Sequence, residues 1–222
     1  MLTENLILIL SSHWQHTIQT FGVDELAAYQ VFNYLVTAYS NPSRQYHNLE
    51  HIYHTLGTID TLQSYAQDLP SVQLAAWFHD VVYDTQAEDN EEKSAEYAVE
   101  MLNNLGIIAS NITKVKSLIL NTKNHKANDL DSQVLIDADL GILAAEPINY
   151  QKYAKAIRQE YAWVSESEYI KGRQQVLERF LQRQRIYFTP LMFKVAEPSA
   201  RLNIQVEIDT LIKTTGSSFH LT

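Results

Sequence analysis

The 222-residue chain contains no cysteine, which excludes a disulfide framework, thiolate catalysis and any Cys-ligated zinc or iron–sulfur site. Metal chemistry in it has to rest on histidine and carboxylates. Turn formers are scarce, 6 glycines and 5 prolines, well under the roughly 12% of average usage, so a many-stranded sandwich or barrel is disfavoured. Basic residues are also in deficit: 17 Lys and Arg against 26 Asp and Glu give a net charge of −9, and no basic run is present. That field repels a phosphate backbone, so no long nucleic acid is expected as a partner. Long apolar runs are absent as well. The N-terminal stretch Leu6 to Leu10 (LILIL) is far short of the ~20 residues a membrane span needs and has no basic region before it. No membrane partner and a cytoplasmic location are the expectation, under which the sequon Asn111-Ile112-Thr113 carries no meaning.

What is present is enough apolar material for a core, 45% of residues, with too little charge, 19%, for disorder. Helical periodicity runs almost throughout, and the fold class expected is all-α, one helical domain over 1–222. A first helix carries Leu6, Ile9, Leu10 and Ile18. A second is capped by Asp24, carries Leu26, Tyr29, Phe32, Leu35 and Val36, and stops at Ser40-Asn41-Pro42-Ser43. A third spans roughly His47 to Gln67. The fourth, Val72 to Val82, is apolar nearly all round and therefore buried. Asp84 to Glu92 reads as an acidic loop into a helix over Ser94 to Leu105, stopped by Gly106. Further helices follow over Ile112–Leu120, Val134–Ala145, 150–163 and 167–187, with a polar loop from Thr122 to Ser132 and Pro147 in a first turn. A last helix over 190–214 precedes a polar tail, 215–222.

Three features carry chemistry. His47, His51 and His54 follow one another at i, i+4 and i+3, so on one helix they share a stripe that can present imidazoles to a metal ion, or simply form a His-rich face. His79-Asp80 ends the apolar run AAWFHDVVYD with no Lys or Arg within ten residues. A buried carboxylate there needs a partner brought by the fold or a metal, and imidazole with carboxylate suits Mn, Fe, Co, Ni or Zn. In LIDADLGILAA, Asp139 shares its stripe with Leu135, Ile136, Ile142 and Leu143 and is preferred as a ligand over Asp137, which lies about 200° around the helix.

The order His51, His79-Asp80, Asp139 resembles the HD-domain metal-dependent phosphohydrolases, named for that doublet. The segments RQYHNLEH, AAWFHDVVYD, DNEEKSAEYA, TKNH, LIDADLGILA, IRQEYAWV and GRQQVLERFL resemble, in this order, a bacterial subgroup described as predicted metal-dependent HD phosphohydrolases; they run from Arg44 to about Tyr187. The resemblance implies a helical HD-type bundle in which His51, His79, Asp80 and Asp139 bind a divalent ion (Mn, Fe, Co, Ni, Zn or Mg), with His47 or His54 able to take the place of His51. It implies hydrolysis of a phosphate ester or anhydride in a small molecule, with nucleotides the first expectation. A non-catalytic metal- or nucleotide-binding module is the alternative. Phosphoryl transfer calls for cations around the metal. Arg44, Lys123, His125 and Arg158, with His47, are the candidates to hold the phosphate, while Arg173 reads better as a helix-face salt bridge. Asp80 and Glu91 are the candidate catalytic carboxylates, Glu92 being the neighbour of the latter. Tyr46 and Tyr83 flank the expected ligands as possible pocket residues.

Overall fold

In the computed structural model, which describes the backbone of residues 2–217 and the side chains of 4–213, the described residues form α-helices and two short 3-10 turns, with no strand. The chain divides into two compact units, Met1–Asp139 and Leu140–Thr222. Among the described residues no helix is long and apolar enough to cross a membrane.

The first unit contains α1 (Leu2–Gln19), α2 (Glu25–Tyr39), α3 (Leu49–Leu62), α4 (Leu69–Phe78), α5 (Asn90–Asn104), α6 (Ala109–Thr122) and α7 (Leu130–Asp139). Its centre is α4, in which every residue from Ser71 to Phe78 is buried. The apolar run therefore does what an all-round hydrophobic helix must do, and the other helices lay single stripes against the core. On α1 the stripe is Leu10, Trp14, Thr17 and Ile18; on α2 it is Ala28, Val31, Phe32, Leu35 and Tyr39. Of the apolar residues that mark these two helices in the sequence, Ile9, Leu26 and Tyr29 are exposed. Trp77 meets Trp14 edge-to-face at 5.6 Å and Phe32 at 6.0 Å, the favoured aromatic geometry.

Helix ends follow their caps. Asp24 accepts from the Ala27 amide at 2.9 Å and Asn48 from Glu50 at 2.9 Å. Asn48 is thus a cap, so α3 begins at Leu49 and His47 lies outside it, contrary to the expected His47–Gln67 helix. After α5, Gly106 (φ +73) donates to the Asn103 carbonyl and Ile107 to that of Leu102, a Schellman stop at the glycine the sequence marks. Several boundaries move. The fourth helix ends at Phe78 rather than Val82, and α7 spans Leu130–Asp139 rather than Val134–Ala145, with a 3-10 turn following it.

The second unit starts with that 3-10 turn, Leu140–Ala144, and continues through α8 (Pro147–Glu160), α9 (Glu166–Gln182), α10 (Pro190–Val195) and α11 (Glu197–Ser217). Ser165 caps α9 by accepting from the Glu168 amide. The single helix expected over 190–214 is broken at Ala196, because Pro198 has no amide to donate and is tolerated only in a first turn. The polar tail expected at 215–222 starts within α11, and its residues 218–222 lie outside the described residues. Buried polar side chains stitch this unit together. Glu197 accepts from the amides of Ile186 and Tyr187, and Asn203 donates to the carbonyls of Leu143 and Ala145.

Candidate metal centre

The end of α4 is the foundation of the site. A helix leaves its last carbonyls without intrahelical donors, and buried ones must find partners elsewhere. Here each partner is specific. The Ala76 carbonyl accepts from His79 Nδ1 at 2.8 Å, that of Trp77 from the Tyr39 hydroxyl at 3.0 Å, and that of Phe78 from the Val81 amide at 3.1 Å. Arg44, itself buried, donates to the carbonyl of Asp80 at 2.6 Å and to that of Val81 at 2.8 Å. Ser94 of α5 donates to the Val82 carbonyl and accepts from the Val82 amide. The turn that carries His79 and Asp80 is therefore fixed from three neighbouring segments.

Onto this turn converge α3 and α7. His51 lies on the core stripe of α3 with Ile52, Thr55, Leu56 and Ile59. Its Nε2 stands 3.1 Å from the Nε2 of His79. Asp139, the last residue of α7, puts Oδ1 at 3.3 Å from His51 Nε2 and 3.5 Å from His79 Nε2. Asp80 Oδ2 lies 3.0 Å from His79 Nε2 and 3.6 Å from His51 Nε2. His51, His79 and Asp139 each offer a ligand atom within 4.8 Å of the other two. Two imidazoles and a carboxylate held that close form a group able to bind a metal ion.

The donor chemistry fits a divalent cation. Because Nδ1 of His79 carries the hydrogen donated to Ala76, Nε2 is the face turned toward the other donors, the arrangement by which a backbone carbonyl orients a ligating histidine. The electrostatics point the same way. Burial disfavours the charge of Asp80, but the adjacent His79 overrides it and holds the carboxyl well below the usual range. Burial likewise opposes the charge of Asp139, and hydrogen bonding from His125, His51 and His79 outweighs it. Of the two imidazoles, His51 is pushed down by burial, whereas His79 is held well above the ordinary value because Asp80 and Asp139 outweigh its burial. Two part-buried carboxylates thus favour the proton of His79, in the place where a divalent ion would balance both.

The remaining expected residues divide into those near this group and those engaged elsewhere. His47 stacks on Tyr83 with ring centroids 4.1 Å apart, and Tyr46 packs 4.9 Å from the ring of His51. His125 approaches Asp139 Oδ2 with Nε2 at 3.5 Å. His54 is exposed on the outer side of α3 and Asp137 is fully buried, so neither belongs to the ligand group. Arg44 spends its guanidinium on main-chain carbonyls. Lys123 bonds Glu92 Oε1 at 2.5 Å and the Glu88 carbonyl at 2.7 Å. Glu91 stands in the first turn of α5. In the second unit Arg158 bonds Glu166 and the carbonyls of Tyr161 and Val164, and Arg173 forms a two-bond fork with Glu207 at 2.8 and 3.1 Å.

Sequence reasoning overlooked Tyr39 and the structural task of Arg44, which hold the His79–Asp80 turn from 38 and 36 residues away. The one signal available was the break at Ser40-Asn41-Pro42-Ser43, which delivers both residues to the same corner. It also overlooked Asp131, buried on α7, which accepts from the amides of Gln67 and Asp68 and pairs with Lys114. No family model, curated protein or solved structure matches the chain.

Proposed function

We propose that the protein is a divalent-metal-dependent phosphohydrolase acting on a small phosphorylated molecule, with nucleotides as the first class to test. The observation that carries this reading is the convergence of His51, His79 and Asp139, with Asp80 beside them, from α3, the turn after α4, and α7 onto one point. The resemblance of the ordered segments to the HD-domain phosphohydrolases supplies the reaction class. A divalent ion bound there would favour ionisation of a water molecule and offset charge on a phosphoryl oxygen.

The chain's own residues have distinct tasks in this reading. His51, His79, Asp80 and Asp139 hold the ion, and the Ala76 carbonyl keeps the His79 ring in the ligating orientation. Arg44 and Tyr39 keep the turn rigid, so that the donors do not have to reorganise on binding. His47, stacked on Tyr83 and next to the His51 ring, is the candidate to hold a substrate phosphate, and Glu91 the candidate acid or base.

A second reading is favoured by one observation: Arg44, Lys123 and Arg158, three of the cations expected around a transferred phosphate, are bonded to protein groups. A non-catalytic metal-binding module would have that property.

Metal-stripped protein reloaded separately with Mn, Fe, Co, Ni, Zn or Mg, and assayed for phosphate release from nucleotides and p-nitrophenyl phosphate, separates the two. The hydrolase reading expects turnover with at least one ion, reduced to background in Asp80→Ala and Asp139→Ala. Stoichiometric metal with no phosphate release from any substrate favours the binding module instead.

A further inference from the structure

The chain ends two of its helices with the same hydrogen-bond motif but with different residues at the critical position. After α5 that position is Gly106. After α6 the His125 amide donates to the Thr122 carbonyl at 3.1 Å and the Lys126 amide to that of Asn121 at 3.2 Å, so His125 occupies the place Gly106 holds in the other motif. Its φ is +48°, and among the described residues no other non-glycine residue has a positive φ. A Cβ is disfavoured in that region, where glycine is the default and asparagine the usual substitute. Backbone strain of this kind persists only where the surrounding structure holds it, and it clusters at functional sites.

A task is visible at the other end of the side chain. His125 Nε2 lies 3.5 Å from Oδ2 of Asp139, the oxygen opposite to Oδ1, which faces His51 and His79. The turn is also tethered, since Lys123 within it bonds Glu92 and the Glu88 carbonyl at the start of α5. We infer that His125 is a positioning residue: it holds the outer oxygen of Asp139 so that the inner oxygen is presented to the ion, and the left-handed backbone at the end of α6 exists to aim it. This rests on the metal reading above. It differs from the sequence-based expectation for His125, because the imidazole acts through a ligand and not on a substrate phosphate.

Glycine at position 125 relieves the backbone and removes only the imidazole, so fold and function separate cleanly. The test measures Mn and Co affinity of metal-stripped wild type, His125→Gly, His125→Asn and Asp139→Ala by titration calorimetry, with the Co absorption spectrum and metal-free melting curves alongside. The inference expects His125→Gly to melt no lower than wild type yet to bind 10- to 100-fold more weakly with an altered Co spectrum, the range typical of losing a partner behind a ligand. Asparagine, which tolerates the same backbone but carries its amide nitrogen at the place of Nδ1 and so falls short of the carboxylate, is expected to bind as weakly as glycine. Wild-type affinity in His125→Gly overturns the inference and leaves the metal reading standing. A metal-free His125→Gly that melts lower than wild type also overturns it, since the residue would then serve the fold. Absence of binding to wild type, matching Asp139→Ala, removes the metal reading and this inference together.

Discussion

His51 and His79 face one another Nε2 to Nε2 at 3.1 Å, although one lies on α3 and the other in the turn after α4, 28 residues on in sequence. Two neutral imidazoles of the same tautomer gain nothing at that distance. With His79 charged and His51 neutral, one N–H donates to one lone pair, and the opposite effects of the site on the two rings agree with that assignment.

A metal entering this site must displace the proton of His79. Its pKa is raised because Asp80 and Asp139 outweigh its burial, so protonated His79 competes with the ion below that raised value. Affinity is therefore expected to rise with pH, by up to about tenfold per unit for the one proton, until the raised pKa is passed. Calorimetry in two buffers of different ionisation enthalpy should show proton release on binding. In the metal-free protein the same proton contributes stability that is complete below the unfolded histidine value of about 6.5 and is lost as pH rises through the folded one. Its melting temperature should accordingly fall on the alkaline side, and less so in His79→Gln. Metal affinity independent of pH would contradict this account.

Arg44 is expected to matter to the fold through backbone carbonyls. Arg44→Ala leaves the buried carbonyls of Asp80 and Val81 without donors and should cost about 2–4 kcal/mol in urea unfolding. Arg44→Lys should recover little, because an ammonium cannot reproduce the fork that reaches both carbonyls while lying over the Tyr39 ring at 5.0 Å.

The second unit offers an independent check on how buried charge is handled. Arg173 and Glu207 are paired while buried, and the Tyr150 hydroxyl donates to the same carboxylate at 2.6 Å. Removing either charge alone strands the other, so Arg173→Met and Glu207→Gln should each destabilise by about 3–5 kcal/mol, and the double variant by clearly less than their sum. Chemical denaturation of the four proteins in the cycle decides this.

Much of this was readable in the sequence where a pattern is local. The run LAAWF has no polar face, which dictates the burial of α4, and Asp24, Gly106 and Pro147 mark boundaries through backbone chemistry that needs no tertiary information. The His-Asp doublet and the Asp139 stripe were legible because charge in an apolar helix demands a partner. The rest was set by distant contacts. Spacing alone treats His47, His51 and His54 alike. Asn48 then takes the cap position and leaves His47 before the helix, while His51 falls on the buried stripe of α3 and His54 on its exposed side. Nothing local says that α4 stops at Phe78, because Val81 and Val82 continue the apolar pattern; Tyr39, Arg44 and Ser94 stop it by taking the carbonyls. The partners of Asp131 and Arg173 lie 17 and 34 residues away, beyond any local pattern.

His51, His79, Asp80 and Asp139 are proposed here to bind one divalent ion between them. Metal content of tag-free protein by plasma mass spectrometry, wild type beside Asp139→Ala and Asp80→Ala, tests it most directly. The account predicts close to one equivalent of Mn, Fe, Co, Ni or Zn per wild-type chain, as isolated or after incubation with each ion, and its loss in Asp139→Ala. A wild-type chain that takes up none of these ions, or an Asp139→Ala variant that retains them in full, would contradict it.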